Sequence, residues 1–263
     1  MYAFAYERPA SMADALAKIS AGGQALAGGQ TLIASLKQRL AQPESLIDLA
    51  GVAELNGVKK DGNTLIIGAM TKHETVADSA DVKALIPALA ALAGNIGDRQ
   101  VRAMGTLGGS VANNDPAACY PSAVLALGAT VQTNKRSIAA DDFFQGMYTT
   151  ALEEGELITA IHFPAPQKAA YAKFRQPASR FALVGVFVAQ TANGVRVAIT
   201  GAGNGVFRHA GLEAALSKSF TPEAVVGVAI DAGELNADLH ASAAFRAQLI
   251  KVQTQRAVQQ ANG

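Results

Sequence analysis

The residues of this sequence best suited to chemistry are two glycine clusters. One reads Ala27-Gly28-Gly29-Gln30-Thr31 and the other Thr106-Leu107-Gly108-Gly109-Ser110. Backbone N–H groups that no β-carbon shields can approach an anion closely, and a helix that begins beside them adds positive potential. Either cluster alone is more typical of a tight turn. Together they are as consistent with a two-walled pyrophosphate cleft as with two turns.

A third glycine-rich segment, residues 195–206, imitates the dinucleotide-binding fingerprint of a Rossmann fold. The third glycine of the GxGxxG pattern would fall at Val206, and too little chain follows to build further parallel strands. We therefore predict a turn from a strand to a helix here.

Nucleophiles and metal ligands lack the spacing that catalysis would require. The four histidines are scattered, and no GxSxG segment is present. Cys119, the single cysteine, cannot form an internal disulfide or hold an iron–sulfur cluster, which takes about four thiolates. We expect no metal centre in this chain and no catalytic side chain, so its chemistry would come from a bound cofactor.

The composition excludes several functional classes. Only 16% of the 263 residues are charged and 50% are hydrophobic, which argues against disorder. A net charge of +1 argues against nucleic-acid binding, which needs clustered Lys and Arg. The longest apolar run, residues 181–189, is half of the roughly 18 residues that a membrane helix needs, and the first residues do not resemble a signal peptide. A cytoplasmic location is expected.

The elements that would hold the glycine clusters can be read from caps, turns and apolar runs. Ser11 should cap a first helix, a strand at 24–26 should deliver the first cluster, and Thr31 should cap a helix over 32–40 before a strand at 46–49. Asp61-Gly62 predicts a hairpin. Helices follow at 71–80, 81–93 and 120–128, strands at 129–133 and 157–163, and the glycine-rich stretch 94–121 between them is expected to be irregular.

The segment Pro164 to Lys168 is the best linker, which places a domain boundary near residue 165. Beyond it we predict three strands, at 171–174, 181–191 and 194–200, with a turn at Asn193-Gly194. Helices are predicted at 210–217, 222–231 and 241–260. Strands followed by helices indicate an α+β fold for this part.

Two segments, AGGQTLIASLKQRLAQPESLIDLAGVAEL and MGTLGGSVANNDPAACYPSAVLALGA, resemble the FAD-binding medium subunits of molybdenum hydroxylases. These are the xanthine dehydrogenase, aldehyde dehydrogenase and carbon monoxide dehydrogenase relatives. The resemblance continues through LEEGELITAIHFP and YAKFRQPASRFALVGVFV to the helical C-terminus, and both glycine motifs fall at the separation typical of the family.

The resemblance implies an α+β fold with a two-part FAD-binding domain of the vanillyl-alcohol-oxidase (PCMH) type. That domain would span residues 1–165, with sub-parts of about 1–55 and 56–165. A small α+β domain, a three-stranded antiparallel sheet with helices, would occupy residues 166–263.

Site residues are implied in the same way. Residues 27–32 would bind the FAD pyrophosphate, the loop from Gly97 through Val101 to Ser110 would hold the flavin and ribityl parts, and Ile158 and Lys173 would line the flavin. The full set of expected cofactor-binding residues is Leu26, Ala27, Gly28, Gly29, Gln30, Thr31, Leu32, Gly97, Val101, Gly105, Thr106, Leu107, Gly108, Gly109, Ser110, Ala112, Asp115, Ala118, Cys119, Ile158 and Lys173.

The chain departs from the family pattern at two places. Gln30-Thr31 stands where relatives more often carry His-Ser or Thr-Asp, but the backbone N–H groups remain. Cys119 stands where many relatives carry an acidic residue facing the ribityl chain, and a thiol is a weak hydrogen-bonding substitute. Either Asp115 or the neighbouring backbone would take over that contact, or Cys119 is simply a small buried residue. No histidine lies in either glycine segment, so FAD would be bound non-covalently.

The implied function is that of an oxidoreductase subunit in a heterotrimer. A large subunit would carry the molybdenum cofactor, and a small subunit would pass electrons through two [2Fe–2S] clusters to this chain's FAD. NAD or another acceptor would then receive them. The alternatives are a stand-alone flavin oxidoreductase on the same fold and a scaffold that has lost its flavin.

Overall fold

A computed structural model describes all 263 residues and contains fourteen strands in four sheets. Its first part is a small parallel sheet flanked by helices. The elements are β1 (Ala5–Glu7), α1 (Met12–Ser20), β2 (Gln24–Leu26), α2 (Leu32–Lys37) and β3 (Ser45–Asp48), with the strands in the order β1-β3-β2. As predicted, the Ser11 side chain accepts a hydrogen bond from the Asp14 N–H and caps α1.

Helix α2 begins as predicted but ends three residues early. Thr31 is its N-cap residue, although the Thr31 side chain makes no capping hydrogen bond. The helix ends at Lys37 because Arg39 adopts a left-handed conformation (φ 60°). The Arg39 N–H then bonds the Leu36 carbonyl and the Leu40 N–H bonds the Ser35 carbonyl, which is the Schellman pattern of helix termination.

The second part is built on a five-stranded antiparallel sheet in the order β4-β5-β10-β6-β7. The predicted hairpin is confirmed: Gly62 (φ 55°) lies in the turn between the first two strands. The strands of this part are β4 (Val58–Asp61), β5 (Thr64–Gly68), β6 (Thr130–Thr133), β7 (Ser137–Ala139), β8 (Phe144–Gly146), β9 (Thr149–Thr150) and β10 (Ile158–Pro164). Strands β8 and β9 form a separate two-stranded ribbon.

Short helices lie between these strands. They are α3 (His73–Asp78), α4 (Ala80–Leu85), α5 (Pro87–Gly94), α6 (Arg99–Met104), α7 (Leu107–Asn113), α8 (Tyr120–Ala126) and α9 (Ala140–Phe143). The irregular segment expected over 94–121 is therefore wrong, since α6, α7 and the start of α8 fall within it. The side chains of Asp98 and Thr106 cap α6 and α7. Helices of six or seven residues separated by Gly105 are too short to produce a clear hydrophobic period.

The last part is an antiparallel sheet covered by helices. It consists of β11 (Lys168–Arg175), β12 (Ala182–Thr191), β13 (Gly194–Thr200), β14 (Phe207–Arg208), α10 (Ala210–Lys218) and α11 (Ala243–Asn262). The predicted turn at Asn193-Gly194 is present, with Gly194 at φ 113°. The sheet has four strands rather than three, because the segment after Gly205 pairs back onto β13 as β14 instead of leading directly into a helix.

The predicted helix over 222–231 is wrong as well. Only a 3₁₀ turn, Pro222–Val225, forms there. The continuation, Val226-Gly227-Val228, combines β-branched residues with glycine, and both types disfavour a helix.

One hydrophobic core joins the second and last parts. Tyr171 and Phe187 from the last sheet are buried in the same cluster as Leu65, Leu89 and Tyr120. The boundary near residue 165 stays a prediction. No helix combines the length and apolar character needed to cross a membrane.

Candidate functional site

A deep cleft opens where the three parts of the fold meet. Its volume is about 690 Å³, within the roughly 300–1,000 Å³ typical of small-molecule and cofactor sites. Its walls come from the turn after β2, the region of α6 and α7, the loop before α8, strand β10 and strand β11 with the loop that follows it. The architecture therefore brings segments from across the chain to one place.

All but two of the residues expected to bind a cofactor line this cleft. The exceptions are Leu26 and Leu107. The Leu26 side chain packs against Leu36 and Leu46, and the Leu107 side chain is fully buried in the main core. Both lie inside a motif whose neighbouring residues line the cleft, but Leu26 and Leu107 themselves do not, so their positions do not support a role in cofactor binding.

The first glycine cluster presents an unusual set of free donors. The backbone N–H groups of all six residues from Ala27 to Leu32 donate no hydrogen bond within the protein. Gly29 has a left-handed conformation (φ 70°), which turns consecutive N–H groups toward one side. Unpaired N–H groups are costly unless water or a ligand satisfies them. Since α2 has only six residues, these N–H groups rather than the helix dipole make the turn suitable for an anion.

The second glycine cluster supplies the opposite wall, but four of its five N–H groups already have acceptors within the protein. The N–H groups of Leu107 and Gly108 bond the carbonyls of Thr71 and Ala69 at 3.0 and 2.8 Å. The Gly109 N–H donates to Thr106 Oγ1 at 3.2 Å. Its glycines serve close packing: a β-carbon on Gly108 would lie 2.5 Å from that of Ala69. The first cluster therefore offers six free backbone donors, whereas the second offers only the Thr106 N–H.

Lys173 and Cys119 meet at another corner of the cleft. The Lys173 ammonium donates to the carbonyl oxygens of Asn95 at 2.6 Å and Arg180 at 3.1 Å, and lies 3.5 Å from Cys119 Sγ. The thiol is buried. Asp115 also lines the cleft, where one carboxylate oxygen accepts the Ala117 N–H at 2.8 Å. Its other oxygen is 3.3 Å from the Tyr148 hydroxyl, so that oxygen has one weak partner.

Sequence reasoning missed Glu156, an ionised carboxylate in the cleft wall. Its side chain is fully buried and accepts hydrogen bonds from Arg136 Nε at 3.1 Å, Thr133 Oγ1 at 2.7 Å and the Glu153 N–H at 2.9 Å. Burial alone would raise the pKa of Glu156, but these hydrogen bonds outweigh it and lower the pKa to about 2. The nearest sequence signal was its place just before the predicted strand at 157–163.

A second missed residue is His73, at the start of α3. It is 4% exposed and its ring packs against the Tyr120 ring, with 5.3 Å between the centroids. Burial, and next the charge of Arg102, lower the pKa of His73 to about 4, so the imidazole is neutral at physiological pH. No sequence motif marks this histidine, because its relation to the cleft depends on the contact between α3 and Gly105.

These residues fit FAD. Six unpaired N–H groups suit a pyrophosphate. Elsewhere the lining is apolar enough for an isoalloxazine ring, with Met70, Ile96, Val101 and Ile158 among the contributing side chains.

Comparison with known proteins agrees with this geometry. The family model for the FAD-binding domain in molybdopterin dehydrogenases matches residues 2–166. Over 201 residues the chain is 39% identical to the carbon monoxide dehydrogenase medium chain of Afipia carboxidovorans, covering 73% of this chain and 70% of that protein. It is 34% identical to the nicotine 6-hydroxylase medium subunit of Paenarthrobacter nicotinovorans, covering 98% of this chain and 97% of that one.

Solved structures agree over almost the whole chain. Carbon monoxide dehydrogenase from Hydrogenophaga pseudoflava matches with a TM-score of 0.88 at 32% identity, covering 99% of this chain and 97% of the other. Quinoline 2-oxidoreductase from Pseudomonas putida 86 matches with a TM-score of 0.89 at 28% identity, again covering 99% and 97%.

Proposed function

The chain belongs to the family of FAD-binding medium subunits of molybdenum hydroxylases, and we propose that it relays electrons within such a complex. In this role it takes electrons from [2Fe–2S] clusters of a partner subunit and delivers them to an acceptor. The single observation that carries the proposal is the row of six unpaired N–H groups from Ala27 to Leu32 at the edge of a cleft of cofactor size.

The roles of the cleft residues follow from their donors and surroundings. The backbone of residues 27–32 binds the pyrophosphate. Gly97, Val101 and the segment 105–110 enclose the ribityl and flavin parts, and Ile158 and Lys173 flank the ring from the later strands. Bound FAD supplies the electron chemistry, while the protein binds it, orients it and adjusts its electrostatic environment.

The names of the relatives that match this chain over most of its length indicate what its partner subunits would be. Relatives are named medium chains or medium subunits, which supports assembly with a larger and a smaller subunit. We assign the molybdenum cofactor to the large partner and two [2Fe–2S] clusters to the small one. NAD⁺ is the first acceptor to test. The cytoplasmic location stays a prediction.

Co-expression tests the proposal. The chain purified alone should contain FAD and oxidise no organic substrate. Expressed together with the large and small subunits, it should elute as one complex in gel filtration and support turnover of a purine, aldehyde or N-heterocycle with an artificial acceptor. Turnover of such a substrate by the lone chain would contradict the subunit role and favour a stand-alone flavin oxidoreductase. A colourless chain that takes up no added FAD would contradict the proposal altogether.

A further inference from the structure

The floor of the cleft contains a histidine that is buried without a hydrogen-bond partner for its ring. His73 Nδ1 has no partner and is inaccessible to solvent. No hydrogen bond within the protein involves Nε2 either; this atom is not among the enclosed ones, and His73 lines the cleft. It lies beside the backbone of Gly105: a β-carbon on that glycine would be 2.5 Å from Nε2.

The two ring nitrogens of His73 differ in their surroundings. Nδ1 is enclosed and unpaired, and an enclosed nitrogen is tolerated better with a lone pair than with a proton. Nε2 has no partner within the protein either, so its hydrogen bond must go to water or to a ligand in the cleft. The same argument applies to the neighbouring N–H groups of the first glycine cluster, whose Gly28 packs against Gly105.

The charge state limits what His73 can do. Because the ring is neutral, it carries one N–H and one lone pair. A buried N–H without an acceptor is less tolerable than a buried lone pair. The proton therefore belongs on Nε2, which faces the cleft, and Nδ1 keeps its lone pair toward the protein.

We propose that His73 is a positioning residue for the cofactor: its neutral Nε2–H donates a hydrogen bond to an acceptor atom of bound FAD, beside the contact between Gly105 and Gly28. This inference rests on the proposed FAD-binding function. It gives the first glycine cluster a side-chain donor from α3, a helix that neither glycine motif includes.

Two variants separate the hydrogen bond from the packing of the ring. His73→Phe keeps a planar ring and removes both nitrogens, whereas His73→Gln keeps an amide N–H at a comparable distance along the side chain. FAD titrated into the FAD-free proteins, followed by quenching of flavin fluorescence, should give a Kd about tenfold higher for His73→Phe and a Kd within about threefold of wild type for His73→Gln. His162→Phe, in strand β10 outside the cleft lining, is the matched control and should bind FAD as wild type does.

The Tm of the FAD-free proteins separates cofactor positioning from a purely structural role. If His73 served only to pack the core, His73→Phe would lower this Tm. Removing an unpaired imidazole should leave the Tm of FAD-free His73→Phe equal to or above that of wild type. A lower Tm with an FAD Kd within twofold of wild type would overturn the proposal and leave His73 as a packing residue, without affecting the proposed function. Failure of the wild-type chain to bind FAD would instead contradict the proposed function.

Imidazole ¹⁵N spectra of the wild-type chain decide the matter if His73→Phe does not fold. Addition of FAD should shift the Nε2 resonance of His73 and retain the Nε2–H tautomer. A His73 spectrum unchanged by FAD would overturn the proposal.

Discussion

Gly28 packs backbone to backbone against Gly105: a β-carbon on Gly28 would lie 2.7 Å from the Gly105 Cα. The first glycine cluster thus packs against the residue just before the second cluster, and a β-carbon on Gly109 would lie 3.1 Å from that of Ala27. A close approach to phosphate is the reason that sequence alone suggests for a glycine at position 28. The structure adds a second reason, since any side chain there would force the turn after β2 away from the end of α6.

Gly28→Ala should therefore lower stability as well as FAD content. Overpacking of this kind typically costs about 1–3 kcal/mol. Urea unfolding and the flavin-to-protein absorbance ratio measure the two effects. Gly94→Ala, whose β-carbon would have only Ala77 nearby at 3.7 Å, is the control and should leave both unchanged. A Gly28→Ala protein of wild-type stability would contradict the tight contact.

Gly29→Ala should reduce FAD binding more than its cost in stability explains. The left-handed conformation of Gly29 (φ 70°) costs a side-chain-bearing residue about 1–2 kcal/mol. Relief of that strain would turn the N–H groups away from the cleft. Gly62→Ala is the control for the positive φ, because Gly62 (φ 55°) lies in a distant hairpin with open space around it, whereas a β-carbon on Gly29 would also meet the flexible Ile33 side chain at 2.5 Å. Equal FAD content in the two variants would contradict a cradle at Gly29.

FAD should leave the protein on acid precipitation. Neither glycine segment contains a histidine that could attach the flavin covalently. The single cysteine, Cys119, is buried beside Lys173. Yellow colour is expected in the supernatant, with about one FAD per chain by absorbance. Flavin retained in the washed pellet would refute non-covalent binding.

Lys173→Met should loosen the loop after β11. The ammonium holds the carbonyls of Asn95 and Arg180, and each such bond contributes about 1 kcal/mol. Limited trypsin digestion followed by mass spectrometry should show faster cleavage after Arg180 than in wild type. Lys168→Met, which removes an exposed contact with Asn262 at the other end of the same strand, should not change that rate. Equal cleavage rates in both variants would contradict the role of the Lys173 ammonium in holding this loop.

Glu156 should contribute to stability only above acidic pH. Its native pKa of about 2 lies below its ordinary value of 4.5, so the unfolded chain binds the proton first as pH falls. Its stabilisation, on the order of 3 kcal/mol, is complete above about pH 4.5 and is lost progressively toward pH 2. Urea unfolding at pH 7, 4.5 and 3 should show that the difference in unfolding free energy between wild type and Glu156→Gln becomes smaller as the pH falls. The control is Glu153→Gln, which should change the unfolding free energy much less because the Glu153 side chain is 58% exposed. If the difference between wild type and Glu156→Gln did not depend on pH, the buried ion pair would be contradicted.

Family membership and the α+β class were predicted from sequence and are confirmed. The family followed from the resemblance of the segments around the two glycine clusters, and individual elements followed from local signals such as the hairpin at Asp61-Gly62 and the cap at Ser11. Such signals act over a few residues, because caps and turns satisfy backbone groups close by in the chain. The wrong prediction of an irregular segment over 94–121 has the same cause, since short capped helices such as α6 and α7 show no hydrophobic periodicity in the sequence.

The composition of the cleft was decided by tertiary structure. Lys173 reaches the carbonyl of Asn95, 78 residues away, and His73 meets the cleft only through its contact with Gly105. Glu156 remains ionised in the wall because Thr133, at the end of β6, and Arg136, in the turn after it, both donate hydrogen bonds to its carboxylate. A local sequence pattern can predict a backbone turn suited to phosphate. The hydrogen-bond partners, burial and protonation state of side chains such as Glu156 depend instead on which distant segments pack together, and no short stretch of sequence encodes that packing.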